Sequence, residues 1–147
     1  MKIGLWIGLF VSVMLFGSRF SFSADEEKTY QGITYACTGV GESKEDPKWN
    51  SYPLKLMFTA GSRAYVSSVK VAIRDSAGQT VLQVDCDSPW LLARLKPGSY
   101  SVSAQADGGA SKNASVTVPA SGQNSLAIRF PEIPVEREPW SLPEKSR

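Results

Sequence analysis

Two aspartates flank a cysteine at Asp85-Cys86-Asp87, and a second cysteine stands at Cys37. Two carboxylates on one strand face could hold calcium weakly or act as the acid and base of a glycosidase. Either role needs further oxygens to converge on the pair, and nothing local supplies them, so solvated carboxylates are the simpler expectation. A redox role for the cysteines would suit a close Cys-x-x-Cys at a helix start, whereas Cys37 and Cys86 lie far apart in the chain. The chain contains no histidine, which removes the usual general base, the Ser-His pair and the commonest metal ligand together. The expectation is no catalytic residue, no metal and no cofactor.

The large aromatics invite a second kind of chemistry, because such rings stack on sugars and on proline-rich peptides. Trp49, Tyr52, Tyr65 and Trp140 are the candidate binding residues. For Trp49 and Tyr52, in the Gly-, Pro- and charge-rich stretch 39–53, two readings stay open. The rings either seal one end of the fold or belong to a binding loop on a rigid scaffold. Trp90, after Pro89 and close to Cys86, is expected to pack over a disulfide.

The elements that must position these residues are strands. Tyr100, Val102, Ala104 and Ala106 alternate with Ser99, Ser101, Ser103 and Gln105, the pattern of a strand with one dry and one wet face. Pro97-Gly98 before it suits a type II turn. Val69, Val71 and Ile73 alternate with Lys70, Ala72 and Arg74, and Asp75-Ser76-Ala77-Gly78 reads as the hairpin turn into a strand from Thr80. Further strands are expected near residues 33–38, 54–58, 64–66, 88–92, 114–118 and 126–130. No helical period stands out, and about seven or eight short strands at regular spacing point to a β-sandwich. Ile33, Tyr35 and Cys37 share one strand parity, as do Leu82, Val84 and Cys86. Both sulfurs should therefore face the core, and a bridge between them closes a loop of about 50 residues, worth roughly 4 kcal/mol.

Lys2, an apolar run over residues 3–16 and small residues at Ser21 and Ser23 form a secretory signal, expected over 1–23. The run is shorter than the roughly 20 residues that span a bilayer, so no stable membrane insertion is expected after cleavage. The chain carries 16 basic and 14 acidic residues, and loss of Lys2 and Arg19 with the signal brings the two into balance. No basic stripe remains for nucleic acid. The expected organisation is signal 1–23, a loose charged N-terminus 24–31, a sandwich domain 32–130 and a proline-rich tail 131–147. That tail carries Trp140, which either hangs free, folds back or docks on a partner.

The order of strand, Asp-x-x-Gly hairpin, strand, Leu95-x-Pro97-Gly98-x-Tyr100-x-Val102-x-Ala104 and two more alternating strands to Phe130 resembles the carboxypeptidase regulatory-like domains. The chain is also similar to small periplasmic proteins of Gram-negative bacteria carrying a paired-cysteine version of this domain. The resemblance implies an all-β, antiparallel Greek-key sandwich of transthyretin-like or prealbumin-like type, used mostly as an accessory or binding module. The related hydroxyisourate hydrolase depends on histidines, so its activity does not carry over. The resulting expectation is a periplasmic or secreted, non-enzymatic module that binds a protein or glycan of the cell envelope. A secreted hydrolase inhibitor using the 39–53 loop as a wedge is the alternative.

Overall fold

The computed structural model describes residues 26–61, 64–66, 68–107 and 109–131. Residues 1–25, with the expected signal, and the stretch from Glu132 onward, Trp140 included, lie outside the described residues. The strands are β1 (Glu27–Tyr30), β2 (Ile33–Thr38), β3 (Leu54–Ala60), β4 (Ala64–Tyr65), β5 (Val69–Arg74), β6 (Thr80–Cys86), β7 (Trp90–Ala93), β8 (Gly98–Ala106), β9 (Ser111–Val118) and β10 (Asn124–Phe130). They form an all-β sandwich. One sheet runs β1-β2-β7-β3-β10, with β4 attached to β3, and the other runs β6-β5-β8-β9.

Alternation decides which side chains enter the core. On β5, Val69, Val71 and Ile73 are buried while Lys70 and Arg74 are exposed. On β8, Val102, Ala104 and Ala106 are buried opposite exposed Ser101, Ser103 and Gln105. Leu54, Leu56, Phe58 and Leu91 fill the core from the other sheet, and burying each such side chain is worth about 1.5–3 kcal/mol. The Asp75 hairpin forms as expected: the Asp75 carboxylate accepts from the amides of Ala77 and Gln79, and Gly78 takes φ 80°. Gly98 departs from expectation. Its φ of 154° is not that of the second central residue of a type II turn, because Gly98 already pairs with Val118 as the first residue of β8. The corner is held by Tyr100, whose hydroxyl donates to the Lys96 carbonyl at 2.7 Å.

Three further features differ from the sequence reading. Residues 27–30 are a strand rather than part of a loose N-terminus: β1 folds onto β2 through Gln31-Gly32, with φ values of 47° and 82°. Two successive positive φ values make the tight turn whose twist matches a hairpin. Among the described residues the strands number ten, a little above the seven or eight expected, and β1 is the one that no segment read from the sequence covers. The pairing is also not antiparallel throughout, since β10 runs parallel to β3 from Asn124↔Leu54 to Phe130↔Ala60. After β9 the chain crosses between the sheets at residues 119–123 and arrives beside β3 in the same direction.

The Cys37–Cys86 disulfide is present, with Cα atoms 5.6 Å apart. It joins β2 of one sheet to β6 of the other. The bridge thus ties the two sheets together on the side away from the β9-to-β10 crossing, beside the β6-to-β7 crossing at residues 87–89.

Candidate functional site

At the disulfide end of the sandwich, β5 begins at Val69, β6 ends at Cys86 and β8 ends at Ala106. Their ends, with the adjoining connections, enclose an open cleft of about 390 Å³. Register builds its floor: Asp85 on β6 lies opposite Lys70 on β5, and Lys70 lies opposite Gln105 on β8. Asp85 and Asp87, with parity opposite to buried Cys86, are both exposed and both line the cleft. Asp107 and Ser68 complete it, the Asp107 amide donating to the Ser68 carbonyl at 3.1 Å. Ser68 holds φ 63°, a left-handed conformation costly for a residue with a Cβ.

Chemically, this is a cleft with three carboxylates, one ammonium and small polar groups. Ser88 donates to the Asp87 carboxylate at 3.2 Å. Lys70 and Asp85 are register partners that do not close to an ion pair; among the described residues that distance is met by Lys48 and Asp46, 3.8 Å apart on the surface. Among the described residues no three His, Cys, Asp or Glu side chains converge closely enough to hold a metal ion. The arrangement suits recognition of a cationic group on a ligand.

The aromatic candidates fall elsewhere. Trp49 is 3% exposed and Tyr52 fully buried, packed with Ala36 and Leu92. Ala36 and Leu92 are register partners on β2 and β7, and their parity is opposite to that of Cys37 and Leu91, which face the central core. The rings therefore seal the outer face of a sheet rather than an end of the sandwich, and they offer no platform to a ligand. The 39–53 stretch reaches them through two short 3₁₀ turns, Glu42–Glu45 and Pro47–Ser51. Pro47 stands at the first position of the second turn, and the Asp46 carboxylate caps it by accepting from the Lys48 amide at 2.9 Å.

Polar contacts then lock the stretch in place. The Trp49 indole donates to the Ser43 carbonyl at 2.8 Å, and Gln123 donates to the carbonyls of Trp49 and Tyr52 at 2.7 and 2.9 Å. Arg94 lies 4.2 Å over the Tyr52 ring. Nothing in the local pattern around Gln123 marks it as a tether, because its partners lie more than 70 residues away.

Trp90 also departs from expectation. It occupies the parity of Leu92, so its indole lies on the outer face of the sheet and not over the disulfide on the inner one. Its neighbours are Lys55, whose ammonium sits 3.4 Å over the ring, and Gly39. A Cβ at Gly39 would come within 2.7 Å of the ring, at a φ of 104°, so the chain leaves β2 here through glycine. Burial lowers the pKa of Lys55. What Trp90 gives the disulfide is its backbone: its carbonyl oxygen lies 3.5 Å from Cys86 Sγ. Tyr65, 62% exposed, and Val40, 58% exposed, are the large apolar side chains left on the surface among the described residues.

Tyr52 carries a pH-dependent contribution to stability. Burial first, and then the Glu27 carboxylate that accepts its hydroxyl proton at 2.7 Å, push its pKa from 10.0 up to about 12. The fold favours the neutral phenol, so the contribution is complete below the unfolded value of 10.0 and is lost as pH rises through about 12. Its full size is about 3 kcal/mol. In urea titrations, Tyr52→Phe is expected to be less stable than wild type by about 1 kcal/mol near neutral pH. That difference should shrink or reverse above pH 11 or so; a constant difference across the range would contradict the assignment.

No family model matches the chain, and no curated protein matches it.

Proposed function

We propose that the protein is an exported, periplasmic or secreted, non-enzymatic binding module. In this reading it holds a protein or glycan of the cell envelope by a positively charged group placed in the cleft at the disulfide end. The observation that carries it is the display of Asp85 and Asp87 on either side of a buried, cross-linked Cys86, beside Gln105 and Ser68. The bridge and the flanking strands hold these groups in place, so a ligand meets a preorganised surface and loses little to ordering it. The absence of histidine from the chain supports binding rather than turnover. The inhibitor alternative draws less support, because the two aromatics of its 39–53 loop are turned inward.

The test is calorimetric or NMR titration of the folded protein with lysine- and arginine-containing peptides and with glucosamine oligomers, each beside its N-acetylated or neutral counterpart. Cationic ligands should bind preferentially, with affinity falling as salt rises. Asp85→Asn/Asp87→Asn should weaken them at least about tenfold, roughly 1.4 kcal/mol, without changing the unfolding midpoint. Equal binding of neutral counterparts, or turnover of any of these compounds, would overturn the reading.

A further inference from the structure

The two sheets are unequal in width, and the difference leaves a place for one strand. At the closed side β9 and β10 are consecutive and in contact. Counted from there, the two strand orders match β10 with β9, β3 with β8, β7 with β5 and β2 with β6, the last pair in contact and fastened by Cys37–Cys86. β1 is the fifth strand along its sheet, and among the described residues the opposite sheet has no fifth strand to match it. Strands lie about 4.8 Å apart and packed sheets about 10 Å apart, so the unmatched position beside β6, facing the inward side chains of β1, is one strand wide.

The walls of that space are suited to such a chain. Lys28↔Tyr35 and Tyr30↔Ile33 are register pairs on the inward face of the β1–β2 hairpin. Tyr30, Ile33 and Tyr35, with Val81 on β6, pack against the core yet remain partly exposed. Along β6 the outward backbone groups have no strand beyond them. Among the described residues, no backbone hydrogen bond from Thr80–Cys86 leads to any strand but β5. β6 is bulged at Val81 and regular from Leu82 to Cys86; β10 lies against β9, and two further edges are better covered. β1 is four residues long and carries Glu27 and Lys28, and β9 has its Thr117 carbonyl capped by Asn124 Nδ2 at 2.7 Å. Short, charged or capped edges resist pairing, and a longer open one invites it.

The geometry points to β6 as an acceptor edge for one donated strand of another protein, an extended segment with alternating apolar side chains and a carboxylate placed to meet Lys28. The charge is specified because exposed Lys28 faces the gap with no carboxylate at ion-pair distance among the described residues. A second copy does not fit. Pairing two β6 edges would put each overhanging β1 where the other copy's β2 already stands. The chain's own sequence after Phe130 is a poor donor, since Pro131, Pro134, Pro139 and Pro143 lack the amides a ladder requires. The occupant is thus a segment from a different chain, bound by main-chain pairing with side-chain pockets setting specificity. The proposal does not depend on cation binding in the cleft.

The test uses the full chain and a capped nine-residue peptide alternating threonine with valine, with one central glutamate. Amide exchange and chemical shifts are followed by NMR. Expected are at least tenfold slower exchange of alternate β6 amides on binding, loss of binding when alternate peptide amides are N-methylated, and weaker binding when lysine replaces the glutamate. Lys28→Glu, with its unfolding midpoint confirmed, should reverse that charge preference. Four results would overturn the proposal: no binding at millimolar peptide, retained binding after N-methylation, protection at β9 or β10 instead of β6, or an unchanged charge preference in Lys28→Glu. Protection in the peptide-free chain of those β6 amides that do not pair with β5 would also overturn it, concentration-independent protection marking a segment of the chain itself and concentration-dependent protection a second copy.

Discussion

Replacing Cys37 and Cys86 together by alanine is expected to lower the unfolding free energy by about 4 kcal/mol. Most of this comes from the unfolded chain, where the bridge closes a loop across a sequence separation of 49 and thereby removes a large share of the disordered conformations. A single small domain has a total stability of roughly 5–15 kcal/mol, so the loss is about a quarter of it or more. The location adds a structural consequence. The bridge fastens β2 to β6 beside the three-residue β6-to-β7 crossing at 87–89, and among the described residues β6 is an edge strand hydrogen-bonded to β5 alone. Without it, amide exchange along β6 should accelerate more than along β5 or β8, and the Asp85 and Asp87 carboxylates at its end should lose their fixed spacing. Urea unfolding of the double variant beside the oxidised wild type measures the energy, and residue-resolved exchange measures its location. A loss below about 1 kcal/mol, outside the usual range for a native bridge, would show that packing alone holds the two sheets.

Trp49→Ala is expected to cost about 3 kcal/mol, the lower end of the range for emptying an aromatic site. The indole is 3% exposed and donates to the Ser43 carbonyl. It shares a small cluster with Tyr52, Ala36 and Leu92, on the opposite side of the sheet from the central core. That separation keeps the cost below that of an equally large cut in the central core, because the 39–53 stretch can settle toward the sheet and fill part of the space. Trp49→Phe should recover roughly half the loss, since it restores apolar volume but not the indole hydrogen bond. Cationic ligands should still bind the cleft in both variants. A stable Trp49→Ala protein that had lost a ligand would assign the ring to binding instead.

These two sites show how differently structure is written into the chain. The alternation on β5 and β8, the Asp75 turn and the inward parity of Cys37 and Cys86 are local properties, read from residues two apart or four in a row. Fold class and bridge followed from them directly. The Asp85–Asp87 half of the cleft was legible in the same way, as two residues sharing a strand face. Ser68, Gln105 and Asp107 were not, because they reach the cleft from the start of β5 and the end of β8. Their convergence depends on strand order, and alternation carries no information about which strands are neighbours. The β1 hairpin was missed for a smaller reason: the turn rests on Gln31 adopting a positive φ that its residue type does not announce.

By itself, then, the amino-acid sequence determined that this protein is a disulfide-linked β-sandwich and which side chains fill its core, since a two-residue period leaves each strand one way to bury its apolar face. Tertiary structure alone decided that Trp49 and Tyr52 lie on the outside of a sheet, that β10 runs parallel to β3, and that β6 stands at the edge of its sheet. Each of these is set by contacts between segments distant in the chain. Which of them form depends on how whole sheets stack and how much surface that stacking buries.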